Sequence, residues 1–143
     1  MISNKRDLSS NAGLIMAQAA LNYANDKGWE ITVAVCDRSG VLIAFMRTDD
    51  VIPAAVEFAI DKAYTSAILG KGTKEFGERM GSSVSLSLGV GTRSRLMTWT
   101  GGLPIFYKDN CVGGIGVSGA MDHQDLECAE AAISNLGLSS RAS

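Results

Sequence analysis

Apolar and polar positions alternate along the chain with two different periods, and the switches between them mark the elements. Leu14, Ala17, Leu21 and Ala24 recur at helical spacing. Ser9, Ser10 or Asn11 can cap that helix, and Gly28 stops it after Lys27. Residues 1–8 are polar and lie outside the pattern. Glu30–Cys36 is rich in β-branched residues, with Ile31, Val33 and Val35 on one face and Thr32, Ala34 and Cys36 on the other. Neither face is strongly polar, which predicts a strand covered on both sides. Asp37-Arg38-Ser39-Gly40 has turn composition, and Val41–Arg47 reads as the returning strand of a hairpin.

Pro53 suits the first position of a helix running to about Leu69, with Val56, Ala59, Ile60, Ala63, Ala67 and Leu69 apolar. Gly70 and Gly72 end it, and Thr73 can cap a short helix through Met80. Ser82–Ser94, serine- and glycine-rich, reads as a long loop. Leu96–Thr100, Leu103–Tyr107 and Cys111–Ser118 read as three strands joined at Gly101-Gly102 and Lys108-Asp109-Asn110. A final helix spans roughly Asp122–Leu136, with Leu126, Ala129, Ile133 and Leu136 as its stripe and Gly137 at its end. This order predicts a single α/β (α+β) domain over residues 1–143, with helices on both faces of a five-stranded antiparallel sheet.

The composition narrows the function classes. Of 143 residues, 20% are charged and 46% hydrophobic, so the surface is poor in charge and a homo-oligomer is expected. A net charge of −2 gives no basic field for nucleic acid. No apolar stretch approaches the ~20 residues that span a bilayer, and no leader pattern opens the chain, so no membrane partner and a cytoplasmic location are expected. Cys36, Cys111 and Cys128 are odd in number and form no C-x-x-C, which favours reduced thiols.

The densest motif is Val112–Gly119, V-G-G-I-G-V-S-G, leading into the last helix. Glycine at this frequency either turns the chain tightly or lets another backbone or a ligand approach closely. Gly114–Gly119 also satisfies G-x-G-x-x-G, but no further strand and no acid near 136–139 follow it, as a dinucleotide site requires. The strand-to-helix junction at Ser118–Gln124 could hold a small anion on helix N-terminal N–H groups, unless Asp122 or its neighbours fill that role internally.

The chain resembles the GlcG/HbpS-type family, small bacterial proteins that also occur as the C-terminal domain of PduO-type corrinoid adenosyltransferases. The matching stretches are Val33–Asp37 with Gly40, Phe45-Met46-Arg47, Asp61-Lys62-Ala63, Thr100–Ile105, Val112–Ala120 and Gln124-Asp125, covering about residues 9 to 137. The resemblance implies a profilin-like three-layer α/β/α fold and frequent homo-oligomers. Some relatives bind haem, and their genes often lie beside small-molecule catabolic operons.

On that footing the leading expectation is a non-enzymatic small-molecule-binding accessory protein, with haem or a corrinoid as ligand. Arg47, Lys62, Gly114, Gly116, Ser118, Gly119 and His123 are the candidate binding residues. His123, the single histidine, is the candidate haem-iron ligand, and its plain alternative is a solvated side chain at a helix start. The first helix carries no histidine, so a ligand from it would be Met16 or another weak donor. An alternative is an enzyme acting on a small carboxylate or carbonyl compound. In that reading Lys62 or His123 is acid/base and Arg47 or Arg93 holds the anion, so at least two of these must converge. Lys62 could also meet Asp37 in a buried pocket, and Arg93 with Arg95 could clamp a carboxylate or phosphate. A third reading is a purely structural homo-oligomer whose glycine strands pack between subunits.

Overall fold

The computed structural model describes residues 1–142. The elements run α1 (Ser10–Lys27), β1 (Thr32–Asp37), β2 (Leu42–Arg47), α2 (Ala55–Leu69), α3 (Thr73–Met80), α4 (Val84–Val90), β3 (Gly102–Tyr107), β4 (Asn110–Ser118) and α5 (Asp122–Asn135). The strands form one antiparallel sheet in the order β2-β1-β4-β3. Helices α1 and α5 cover one face and α2 the other.

Local chemistry explains the ends of these elements. Ser9 Oγ accepts from the Ala12 N–H (3.1 Å) at the start of α1. Gly28 closes that helix in the left-handed region (φ 75°), returning its N–H to the last turn. The β1–β2 hairpin turns on Asp37, whose Oδ1 accepts from Ser39 N (2.9 Å) and Val41 N (3.0 Å). Pro53 sits in a turn just ahead of α2 rather than inside it.

Strand alternation sorts the core into two halves. Val33, Val35, Ile115 and Val117 face α1 and α5 with Met16, Ala129 and Ile133. Ala34 and Cys36 face α2, where they meet Ala59, Ala63 and Ala67. Gly114 and Gly116 of β4 lie on that same face, and they answer what approaches the glycine strand. A Cβ on Gly114 would stand 2.6 Å from Ala67 N, and one on Gly116 would stand 2.5 Å from Ala63 N and 2.8 Å from Lys62 Cβ. The α2 backbone rests directly on β4. Helix α1 repeats the arrangement in milder form. Its buried face is Gly13, Met16, Ala17, Ala20 and Ala24, with Gly13 against Ile43, whereas Leu14 of the expected stripe is exposed.

Two expectations are corrected. The sheet has four strands, because Leu96–Thr100 is not one of them. That segment lies along α2: Met97 N donates to Thr65 Oγ1 (2.9 Å), Thr65 Oγ1 donates to Arg95 O (3.2 Å), and Trp99 meets Phe58 edge-on at 4.9 Å. The edge of β3 is meanwhile engaged elsewhere. Gly102 N donates to Thr73 Oγ1 (2.9 Å), and Phe106 exchanges backbone hydrogen bonds with Ser139 (2.7 and 3.2 Å). A β-rich pentapeptide does not specify a partner strand, and here the partner is a helix surface. Second, the Ser82–Ser94 stretch contains α4, capped by Ser83 Oγ accepting from Leu86 N (3.2 Å).

The seat of α2 on β4 yields a direct test. Gly116→Ala should destabilise the protein by about 3 kcal/mol, because the new methyl meets helix backbone that cannot rotate away. Gly89→Ala, in α4 with open space around it, should change stability little. Urea unfolding of both variants checks this.

Candidate functional site

The structure separates the sequence-predicted site residues. Arg47 is exposed on the edge strand β2, where its Nη1 donates to Thr48 O (3.1 Å) and Asp49 O (3.0 Å). Gly114 and Gly116 are buried beneath α2, so no ligand reaches them. Ser118 is buried with its carbonyl accepting from Thr32 Oγ1 (3.1 Å), and Gly119 packs on Val51 and the Glu30 carbonyl. The glycine motif therefore serves packing inside one chain. Its strand pairs antiparallel on both sides, which excludes the βαβ unit of a dinucleotide fold.

Two side chains in the first turn of α5 bond back to the residues that precede it. Gln124 Oε1 accepts from Met121 N (3.1 Å), and Asp125 Oδ1 accepts from Ala120 N (3.0 Å). They take the N–H groups of Ala120 and Met121 at the junction.

Lys62 is the unexpected placement. It is 2% exposed, and its Nζ donates to Val117 O (2.9 Å) and lies 3.5 Å from Asp125 Oδ2. Asp37 is committed to its turn, so the partner of Lys62 is Asp125. Gly101, at φ 128°, lets the chain pass over this pair, since a Cβ there would stand 2.9 Å from Lys62 Nζ. Burial pushes the Asp125 carboxyl up to about 6, against the downward pull of Lys62, and burial also lowers the Lys62 ammonium. Sequence reasoning singled out Lys62 on an apolar helix, but nothing local tied it to Asp125, 63 residues away.

Arg47, Lys62 and Arg93 have separate partners: the Thr48 and Asp49 carbonyls, the Val117 carbonyl with Asp125, and Thr92 Oγ1. No group of three or more His, Cys, Asp or Glu that could hold a metal ion is found among the described residues. Met16 is fully buried and cannot ligate a haem, and the three cysteines are free.

One concavity lies along β3. It is a cleft of about 520 Å³ bounded by the α2–α3 corner, β3, α5 and the C-terminal tail. Leu103, Pro104, Phe106 and Leu126 form one apolar wall of an otherwise largely polar lining, where Lys71, Lys74 and Arg141 add cations beside Glu75 and Glu130. Its volume falls within the range of small-molecule sites. Leu126, expected in the core, is half-buried because it lines this cleft. His123, Leu126 and Glu130 follow i, i+3, i+7 spacing on one face of α5. The exposed His123 therefore stands one helical turn beyond the cleft wall.

The family model described as "Haem degrading protein HbpS-like" matches residues 8–134. The chain belongs to the HbpS-like family. It is 31% identical over 119 residues to an uncharacterised 15.0 kDa protein of the dhaT–dhaS intergenic region of Citrobacter freundii, covering 82% of this chain and 84% of that one. It is 30% identical over 111 residues to protein GlcG of Escherichia coli K12, covering 78% and 81%. Among solved structures it is similar to HbpS, at 30% identity and TM-score 0.86, covering 95% and 94%. The PduOC–haem complex shares the fold with TM-score 0.86 at 23% identity, covering 94% and 99%. No helix of this HbpS-like chain, among the described residues, is long and apolar enough to cross a membrane.

The buried pair makes the stability of this HbpS-like protein pH-dependent in a defined sense. A carboxyl raised to about 6 binds its proton more tightly in the folded state than in the unfolded state, where its pKa is about 3.9. The stability it contributes is full at low pH and is lost as pH rises from about 4 to about 6. Asp125→Asn should remove that slope from the urea midpoint measured against pH. Lys62→Met should cost about 3–5 kcal/mol at pH 7, because it leaves a buried carboxylate without its partner.

Proposed function

We propose that this protein is a non-enzymatic small-molecule-binding member of its family, with haem, or a corrinoid of similar shape, as the ligand class. The observation that carries this reading is the cleft along β3. Its apolar wall suits a flat macrocycle, and Lys71, Lys74 and Arg141 suit the acidic edge of such a ligand. The cleft lining contains no histidine, cysteine, methionine or tyrosine. His123, on the same face of α5, is the side chain that extends the site with an iron donor. When bound, haem supplies a redox-active iron, while the residues of this chain hold the ring and shield its apolar face. The family description and the haem complex of PduOC support the choice of ligand. A cytoplasmic location beside a small-molecule catabolic pathway is part of the same reading.

We place subunit association on α4. Its Val84 and Leu88 are 77% and 70% exposed, and none of its residues is buried. Among the elements it touches only α3. A seven-residue helix is marginal in water by itself, and a second copy covering its apolar side chains stabilises it.

A haem titration followed at the Soret band tests the ligand, with cobalamin titrated in parallel to separate haem from corrinoid. The wild type should show a saturable, stoichiometric shift. His123→Ala should move the band maximum and weaken binding about tenfold, a loss of about 1.4 kcal/mol. Leu103→Glu, which puts a charge on the cleft wall, should abolish the shift. A wild type that saturates with neither ligand refutes the proposal.

Sedimentation velocity tests the assembly. Val84→Glu with Leu88→Glu should convert an oligomer into a smaller species without lowering the helix content.

A further inference from the structure

A second concavity, of about 460 Å³, is lined by Tyr64 and Ile68 of α2 and by Thr92, Arg93, Ser94, Arg95 and Leu96 of the segment after α4. Its two guanidinium groups are held in an unusual way. The Arg95 guanidinium lies 3.7 Å from the Tyr64 ring centroid, and its Nε is 3.5 Å from Asp61 Oδ1. Stacking and the ion pair together fix the plane of the group while engaging only its inner nitrogen. Arg93 Nε donates to Thr92 Oγ1 at 3.3 Å, and Thr92 Oγ1 in turn donates to Gly89 O at 2.7 Å. Among the described residues, neither arginine gives a terminal Nη to a protein acceptor. Two guanidinium forks with free ends therefore share one recess, the Arg95 fork pre-oriented by Tyr64 and Asp61. The Arg95 backbone is anchored too, since its carbonyl accepts from Thr65 Oγ1 at 3.2 Å.

The charges facing the recess are Arg93, Arg95 and the Asp61 carboxylate that Arg95 already engages, which leaves a net excess of one positive charge. Ile68 and Leu96 supply an apolar wall that inorganic ions do not need and that a carbon skeleton can use. Paired guanidinium forks match carboxylate geometry bidentately. We propose that this recess is a binding site for a small aliphatic dicarboxylate. Arg93 and Arg95 each take one carboxylate, and Ile68 and Leu96 contact the carbon chain between them. The site shares no lining residue with the cleft along β3, so it stands whether or not haem binds there.

Isothermal titration of the full chain with succinate tests the proposal, with butyrate and inorganic phosphate as comparison ligands. Succinate should bind saturably with one site per chain, and binding should weaken as salt is raised. Butyrate and phosphate should each bind at least about tenfold more weakly. Arg93→Gln should lower succinate affinity about tenfold. Arg95→Lys keeps a cation near Tyr64 and Asp61 but removes the fork, and it should lower affinity by a similar factor with an unchanged melting temperature. Absence of saturable heat with succinate overturns the proposal, as does wild-type affinity in both variants. Phosphate binding as tightly as succinate would overturn the dicarboxylate assignment.

Discussion

The close seat of α2 on β4 is the constraint from which the rest of the structure follows. Helix backbone at Ala59, Ala63 and Ala67 rests against strand backbone at Gly114 and Gly116, leaving no room for a Cβ on either glycine. Such contact maximises dispersion over a small area, because backbone atoms from both elements meet without side chains between them. It also fixes where each α2 side chain goes. Lys62 lies beside Ala63, so it is carried under the strand to the Val117 carbonyl and out of water. The opposite face of the sheet uses larger residues, with Val33, Val35, Ile115 and Val117 filling the space beneath α1 and α5.

A lysine placed this way requires an anion, and Asp125 at the first turn of α5 supplies it. Asp125 also accepts from Ala120 N, so one carboxylate joins α2, the end of β4 and the start of α5. Burial outweighs mutual attraction for both groups, as the directions of their pKa shifts show. Such a pair contributes less to net stability than an apolar replacement could. Its physical consequence is positional, because it fixes how the last helix leaves the sheet.

The surface features follow from how the sheet edge beside β3 is closed. Thr73 and Ser139 satisfy backbone groups that would otherwise be open to strand pairing. Because these partners are a helix start and a chain tail, they leave a cleft where a fifth strand would have filled the space. The segment expected to be that strand crosses α2 instead, and its neighbours Arg93 and Arg95 shape the second recess.

The linear order of residues by itself determined much of the fold. The β1–β2 hairpin, the helix ends at Gly28 and Gly70, the two-faced β1 and the layered α/β class are local or nearly local properties, set by side-chain period, turn chemistry and glycine. The family was legible because its motifs are glycine and turn positions that recur at fixed separation. Tertiary structure alone decided the rest. Leu96–Thr100 has strand composition, yet only the free surface of α2 and the occupied edge of β3 determine where it lies. Leu14 and Leu126 fit helical stripes, yet the small faces of α1 and α5 turn toward the sheet and leave these leucines partly in solvent. The Lys62–Asp125 pair and the cleft beside His123 join residues far apart in the chain. No periodicity records such meetings, because they depend on how layers stack, and stacking is set by the volume available between backbones.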